Sequence, residues 1–439
     1  MPRIHDELMR VRGTRFRLYP QSPVLEHIRL RGPETVWVSA PPGSIGPGPN
    51  DDRMYVADAI DKTPYGYPYL PPYRGPSHPP VAPGRDGHFD YLAPEDSGFL
   101  AAHMYGTVRR VLDVWEGYLG RPIVWHFSDR YERLELVPWV DWDNSHAGYG
   151  FLETGYGEAD DGRRIPYGLN FDVLAHEVGH TIIYAEVGTP QLAATTAEYH
   201  GFQESAADLV ALVGALHFDS VVDDLLRNSH GNLYAPNEVD RIAELSETRQ
   251  IRTASHSYRM SDVPDPGTPP AQLTQPEIHH LGEPLTGALF DIFVEVFQSD
   301  LVAAGLIDSE LEALSHGVTS NPHLGDAVAR GFAAAHEGHQ GAFRSTLLGA
   351  RDYLGSLLTE AWTRLAPDCL GYVDVVAALL AADRTLTAGR RERIIRESLA
   401  WREISVRTEE PLGGGLGSLR ARGVPYRQRW RLARHAYSY

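Results

Sequence analysis

Apolar residues recur three and four positions apart at Phe171, Leu174, Val178, Ile182 and Ile183, the period of a helix buried along one face. Asn170 is suited to cap its start, and Gly188 with Pro190 to stop it. A second run, Phe202, Ala206, Leu209, Val210 and Val213, predicts another apolar helix just downstream. Leu100–Leu119 reads as an amphipathic helix, and strands are expected near Ile123–Phe127 and Gly148–Glu153, an order that suits an α/β unit. After a mixed stretch of helix and Pro-rich loop over 219–275, helices dominate from Leu285 to Leu399, so the chain should be rich in α-helix.

Residues 1–95 follow another pattern. Short strand-like pieces, Arg15–Tyr19 and Thr35–Ser39, alternate with loops such as APPGSIGPGPNDD and YGYPYLPPYRGPSHPPVAPG, whose proline density forbids long helices. Three roles remain open for this segment: a substrate-like inhibitory arm, an extra β unit, or a wrap along the body, of which the wrap is the simplest.

The polar residues on the two apolar helices carry the chemistry. His176-Glu177-Val178-Gly179-His180 lies within the first. Positions four apart in a helix differ by only about 40° in direction, so both imidazoles leave from one face, one turn apart. On the second helix Glu204 and Asp208 are again four apart. One carboxylate can join the imidazoles around a metal while the other supports a ligand, and Asp208 is suited to take the second ring proton of His176. Two His and one Glu leave a fourth position open, as in catalytic rather than structural zinc sites, and bound zinc lowers the pKa of water to about 7. Glu177, next to the first His, is then placed to reach that water.

Three blocks, HEVGH at 176–180, QESAADLVAL at 203–212 and IHHLGEPLTGALFDIF at 278–293, resemble the gluzincin zinc metallopeptidases of the thermolysin and fungalysin branch. The stretch 365–404, with Cys369, is similar to the last helices of fungalysin-type enzymes. The resemblance spans roughly 140–404. It implies an α+β fold, with an N-terminal α/β subdomain ending in the zinc helix, a mostly α-helical C-terminal subdomain, and an active cleft between them. It further implies that His176, His180 and Glu204 bind one catalytic zinc ion, that Glu177 is the general base, that Asp208 supports a ligand, and that His279 binds the polarised carbonyl oxygen in the transition state. His280 is the neighbour a one-residue register error would select instead.

Departures from the family pattern are equally specific. No Tyr stands after the zinc helix where thermolysin has a second oxyanion donor, and Tyr199 and His200 are the nearby substitutes. The substrate-clamping Arg is displaced by one position in Tyr258-Arg259-Met260-Ser261-Asp262, which makes Arg259 the candidate, with Arg252 competing. His146-Ala147-Gly148-Tyr149-Gly150-Phe151 occupies the place of the family's edge strand, which holds an extended peptide by main-chain hydrogen bonds. His146 and Ala147 are therefore the candidate substrate contacts there, although a lone His is more often an ordinary surface residue.

Composition narrows the partners. The chain has 439 residues, 42% hydrophobic and 22% charged, with a net charge of −18, which argues against nucleic acid as a partner because phosphate contacts require clustered cations. Its only lysine is Lys62. The single cysteine, Cys369, excludes an internal disulfide and a cysteine-ligated zinc, and is expected to be a small buried hydrophobe. No apolar run approaches the ~18 residues of a membrane span, and the N-terminus lacks the apolar core of a signal peptide. The expected location is the cytoplasm, although the family is often secreted. No D-x-D-x-D-G run is present, and calcium stays open. The expected substrate is a peptide or protein.

Four segments follow: an N-terminal Pro/Gly-rich extension (1–95), an α/β subdomain ending in the zinc helix (96–188), a mainly helical subdomain with the third ligand and His279 (189–404), and a Gly-hinged Arg-rich tail (405–439) with six Arg beyond Glu410. His336-Glu337-Gly338-His339 spaces its histidines by three and is expected to be a surface cluster. The function these residues favour is a zinc-dependent endopeptidase. The alternative is a catalytically silent binding or scaffold protein, or a hydrolase of non-peptide amides, on the same fold.

Overall fold

A computed structural model describes residues 2–158, 162–234, 237, 241–246, 249–317 and 322–404, so the Arg-rich tail lies outside the described residues. The chain is α+β and divides into two compact units: Met1–Thr189 with Ala206–Phe218 and Arg241–Thr253, and Pro190–Ser205 with Asp219–Asp240 and the chain from Ala254.

The first unit opens with α1 (Pro2–Arg12), β1 (Thr14–Leu18), α2 (Glu26–Arg31), β2 (Glu34–Val38) and β3 (Met54–Val56). Next come α3 (Phe99–Leu119), β4 (Leu134–Val137), β5 (Ser145–Gly148), β6 (Phe151–Thr154), β7 (Tyr156–Glu158), β8 (Arg164–Pro166) and α4 (Phe171–Glu186). The continuous helix α5 (Ala197–Ala215) belongs to both units, with Ala206 onward in the first. The second unit adds α6 (Asp219–Ser229), and the first closes with the hairpin β9 (Arg241–Ser246) and β10 (Arg249–Thr253). The rest of the second unit is helical: α7 (Gln275–Ala303), α8 (Ser309–Gly317), α9 (Gly325–His336), α10 (Gln340–Trp362), α11 (Tyr372–Thr387) and α12 (Glu392–Trp401).

Residues 1–95 are built into the first unit. β1 and β2 pair antiparallel with Phe16 opposite Val36, and β3 joins a four-stranded sheet of order β3-β4-β6-β5. β3 with β4 and β4 with β6 are parallel, while β5 runs antiparallel along the edge. Segment 57–73 covers one face of this sheet, packing Ala59 and Tyr65 on Val137, Val140 and Phe151. Apolar burial along α3 and α4, including Tyr105, Val108, Leu112, Leu174, Val178 and Ile182, completes the core of the unit.

Four sequence expectations require correction. Ile123–Phe127 alternates as a strand should, with Ile123, Trp125 and Phe127 buried and Val124 exposed, yet among the described residues it pairs with no strand. Side chains take its main-chain groups instead: the Glu116 carboxylate accepts from the Ile123 N–H, and Arg53 donates to the Ile123 carbonyl. Gly148–Glu153 is strand only from Phe151, within β6, because Tyr149 and the left-handed Gly150 (φ 89°) reverse the chain after Gly148 ends β5. Cys369 is exposed, in the left-handed region (φ 58°) of the connection between α10 and α11. His336 is buried at the end of α9, where its ring packs on His230 and Phe343.

Candidate metal centre

Helix α4 is specified locally. The Asn170 side chain accepts hydrogen bonds from the Asp172 and Val173 amides, satisfying two donors that have no helical partner. Glycine is required inside it by the close passage of α5: a Cβ on Gly179 would lie 3.0 Å from the Ala207 Cα and 3.1 Å from the Val210 Cβ. The two helices carrying the candidate ligands thus meet at near-backbone distance.

On α4, the Nε2 atoms of His176 and His180 stand 3.1 Å apart, with ring planes at 88°. The Nδ1 of His176 bonds the Asp208 carboxylate at 2.9 Å, and Asp208 is only 1% exposed. That bond fixes the tautomer with the proton on Nδ1, leaving the Nε2 lone pair of His176 directed at His180. Glu204 is buried on α5, and one ligand atom from each of His176, His180 and Glu204 lies within 4.8 Å of the others. Two imidazole nitrogens and a carboxylate oxygen converging with lone pairs inward form a donor set that suits a divalent zinc-like cation.

Glu177, between the two histidines, accepts the Ala147 main-chain N–H at Oε2, 2.9 Å away. Ala147 therefore faces the candidate acid from the edge strand. His146 points elsewhere, its Nε2 2.6 Å from the buried Glu153 carboxylate opposite it in the β5–β6 pair. Glu153 also accepts from Lys62 Nζ and the Tyr65 N–H, and Lys62 is 2% exposed with its ammonium over the Tyr65 ring. Burial lowers the Lys62 pKa, while Glu153 raises it in part. Sequence reasoning missed this pair. The one available signal was a solitary lysine in an Arg-rich chain.

In the second unit, a Cβ on Gly282 of α7 would lie 2.7 Å from the Gly201 carbonyl oxygen and 3.0 Å from the Glu204 Cβ. This close approach brings His279 Nε2 to 3.4 Å from Glu204 Oε1. His280 turns away, its Nε2 3.4 Å from Glu283 and its ring against Tyr258.

The remaining candidates have other surroundings, and among them His200 interacts with Glu204. Tyr199 is buried and accepts from Gln203, and burial lowers the pKa of His200, opposed by Glu204. Arg259 lies over the Trp401 ring, 3.9 Å from Glu403. The Arg252 side chain lies outside the described residues. Tyr258, which sequence reasoning did not select, is held by the fully buried Arg402, whose guanidinium donates to the Tyr258 carbonyl oxygen at 2.6 Å.

The chain is α+β and carries a two-histidine, one-glutamate group that could hold a cation. No family's sequence profile and no curated protein matches the chain. Among solved structures, it is similar to the precursor of protealysin, a metalloproteinase from Serratia proteamaculans, at 10% identity and a TM-score of 0.44, over 80% of this chain and 86% of that one.

Proposed function

We propose that the protein is a zinc-dependent endopeptidase of thermolysin-like architecture. The observation that carries the reading is the convergence of His176, His180 and Glu204, with a carboxylate that is not part of that set, Glu177, between the histidines. Zinc bound there would supply Lewis acidity, lowering the pKa of water and polarising a substrate carbonyl.

The rest belongs to the chain's own residues. Asp208 holds His176 in the tautomer whose Nε2 can ligate. Glu177 takes a proton from the attacking water and carries it to the leaving amine, its carboxylate oriented by the Ala147 amide. The edge strand β5 offers main-chain groups to an extended peptide, the geometry of strand addition. His279 lies beside Glu204 and donates to the oxygen that gains negative charge. Arg259 faces Trp401 and Glu403 and is assigned to the substrate clamp.

Metal analysis combined with peptide-library digestion, on wild type and on Glu177→Gln, tests the proposal. Stoichiometric zinc with cleavage in wild type, and zinc without cleavage in the variant, is the expected result. A zinc-loaded wild type that cuts nothing would instead support a silent scaffold, and cleavage retained by Glu177→Gln would remove Glu177 as the base.

A further inference from the structure

A pocket of about 440 Å³ in the second unit, formed by α6, the end of α9 and the start of α10, is lined by Asp223, Arg227, His230, His336, Gln340 and Arg344, among others. Three features of it point the same way. His336 is only 8% exposed, and its Nε2 has no hydrogen-bond partner among the described residues. An uncompensated buried polar atom is destabilising, so it needs an explanation. His230 stands beside it, with ring centroids 5.7 Å apart, on backbone held in the left-handed region (φ 51°).

The second feature is the start of α10. This helix of 23 residues has no side-chain cap, and the Ala342 and Phe343 amides both turn back to the His339 carbonyl. The amides of Gln340 and Gly341, both in the pocket lining, precede the first helical hydrogen bond and carry the positive end of the helix dipole. The third is cationic. Arg344 enters one turn into α10, and Arg227 enters from α6. Aspartates now hold both: Arg344 bonds Asp219 and Asp223, and Arg227 bonds Asp224.

We infer that this pocket is a binding site for an oxyanion-bearing small molecule, of which inorganic phosphate is the simplest form. The imidazole N–H of His336, the free turn of α10 and the Arg344 guanidinium supply the donors an oxyanion takes at a helix N-terminus. Asp223 is the internal competitor, since it occupies the Arg344 Nε that the ligand would use. Burial, with His230 alongside, lowers the His336 pKa.

Calorimetric titration of the full chain with inorganic phosphate, at fixed ionic strength, tests this site. Wild type should bind one phosphate saturably. Arg344→Gln and His336→Leu should each weaken binding by about tenfold or more, and Asp223→Asn should tighten it. Arg344 is one-third exposed, so its variant keeps the test sound even if His336→Leu folds poorly. Absence of saturable phosphate binding in wild type would overturn the proposal. So would binding unchanged in both variants, which would place the anion elsewhere, the metal centre included.

Discussion

The Ala147 amide donates to Glu177 Oε2 at 2.9 Å, tying the edge strand to the acid that stands between His176 and His180. A main-chain N–H spent on Glu177 is not spent on the β5–β6 ladder, so it orients the carboxylate without loosening the sheet. Gln accepts the same bond through its amide oxygen but cannot take a proton. Glu177→Gln should therefore retain fold and metal content while hydrolysis falls by about 10²- to 10⁴-fold. Metal stoichiometry and steady-state peptide cleavage on the same preparation check both halves.

Asp208 would act on a bound metal through His176, whose Nδ1 it holds. Replacing it with Ala leaves the Nδ1 of a buried imidazole without its 2.9 Å acceptor and releases the ring's tautomer. Zinc affinity should weaken by about 10- to 100-fold, measured by competition with a chromophoric chelator. An unchanged affinity would show that Asp208 is a bystander.

The part of this centre that was legible in the sequence is local. The pairs His176/His180 and Glu204/Asp208 could be placed because helical period and spacing fix direction within one element. The failures are non-local. Ile123–Phe127 has the alternation of a strand, but nothing in it reveals that Glu116 and Arg53 would take its main-chain groups. His146 looked like a lone histidine because its partner chain runs through Glu153 to Lys62, 84 positions away in sequence. His336 reads as surface in a Gly- and Ala-rich run, and only the packing of His230 and Phe343 against it shows otherwise.

Gly282→Ala tests whether the approach of α5 and α7 sets the position of His279. The added Cβ would meet a backbone oxygen at 2.7 Å, which no side-chain rotation relieves, so one helix must shift. Stability should fall by about 1–3 kcal/mol. Peptidase activity should fall beyond the loss of folded protein, because His279 is then carried away from Glu204. Urea denaturation and activity per folded molecule separate the two effects. Unaltered stability would mean that the helices have slack.

His103 makes stability depend on pH. Fully buried, it donates to the Gly168 carbonyl through Nδ1 and accepts the Tyr19 amide at Nε2, a pattern open only to the neutral ring. Burial lowers its pKa from 6.5 to about 4, opposed by the bond to Gly168. The unfolded chain therefore binds the extra proton between these values. The contribution of His103 is fully present above pH 6.5 and drains away as pH falls toward 4, for a total of about 3 kcal/mol. Unfolding free energies across that window should show His103→Gln with a shallower slope than wild type. Parallel slopes would assign the acid sensitivity elsewhere.

Lys62 and Glu153 form an ion pair with side chains fully removed from solvent, and His146 depends on it. The Glu153 carboxylate accepts from the ammonium, the Tyr65 amide and the His146 ring, so removing the ammonium leaves a buried negative charge with too few donors. Lys62→Met should cost about 3–5 kcal/mol. Lys62→Met combined with Glu153→Leu should recover most of that loss, because an apolar pair avoids the desolvation of both ions. The double variant nevertheless deprives His146 of its partner beneath the edge strand. If His146 contributes to substrate binding, KM should rise in the double variant with kcat little changed. Denaturation curves for the single and double variants, with KM and kcat for the double, check each step. A single variant as stable as wild type would end the argument, since the buried carboxylate would then be neutral or hydrated.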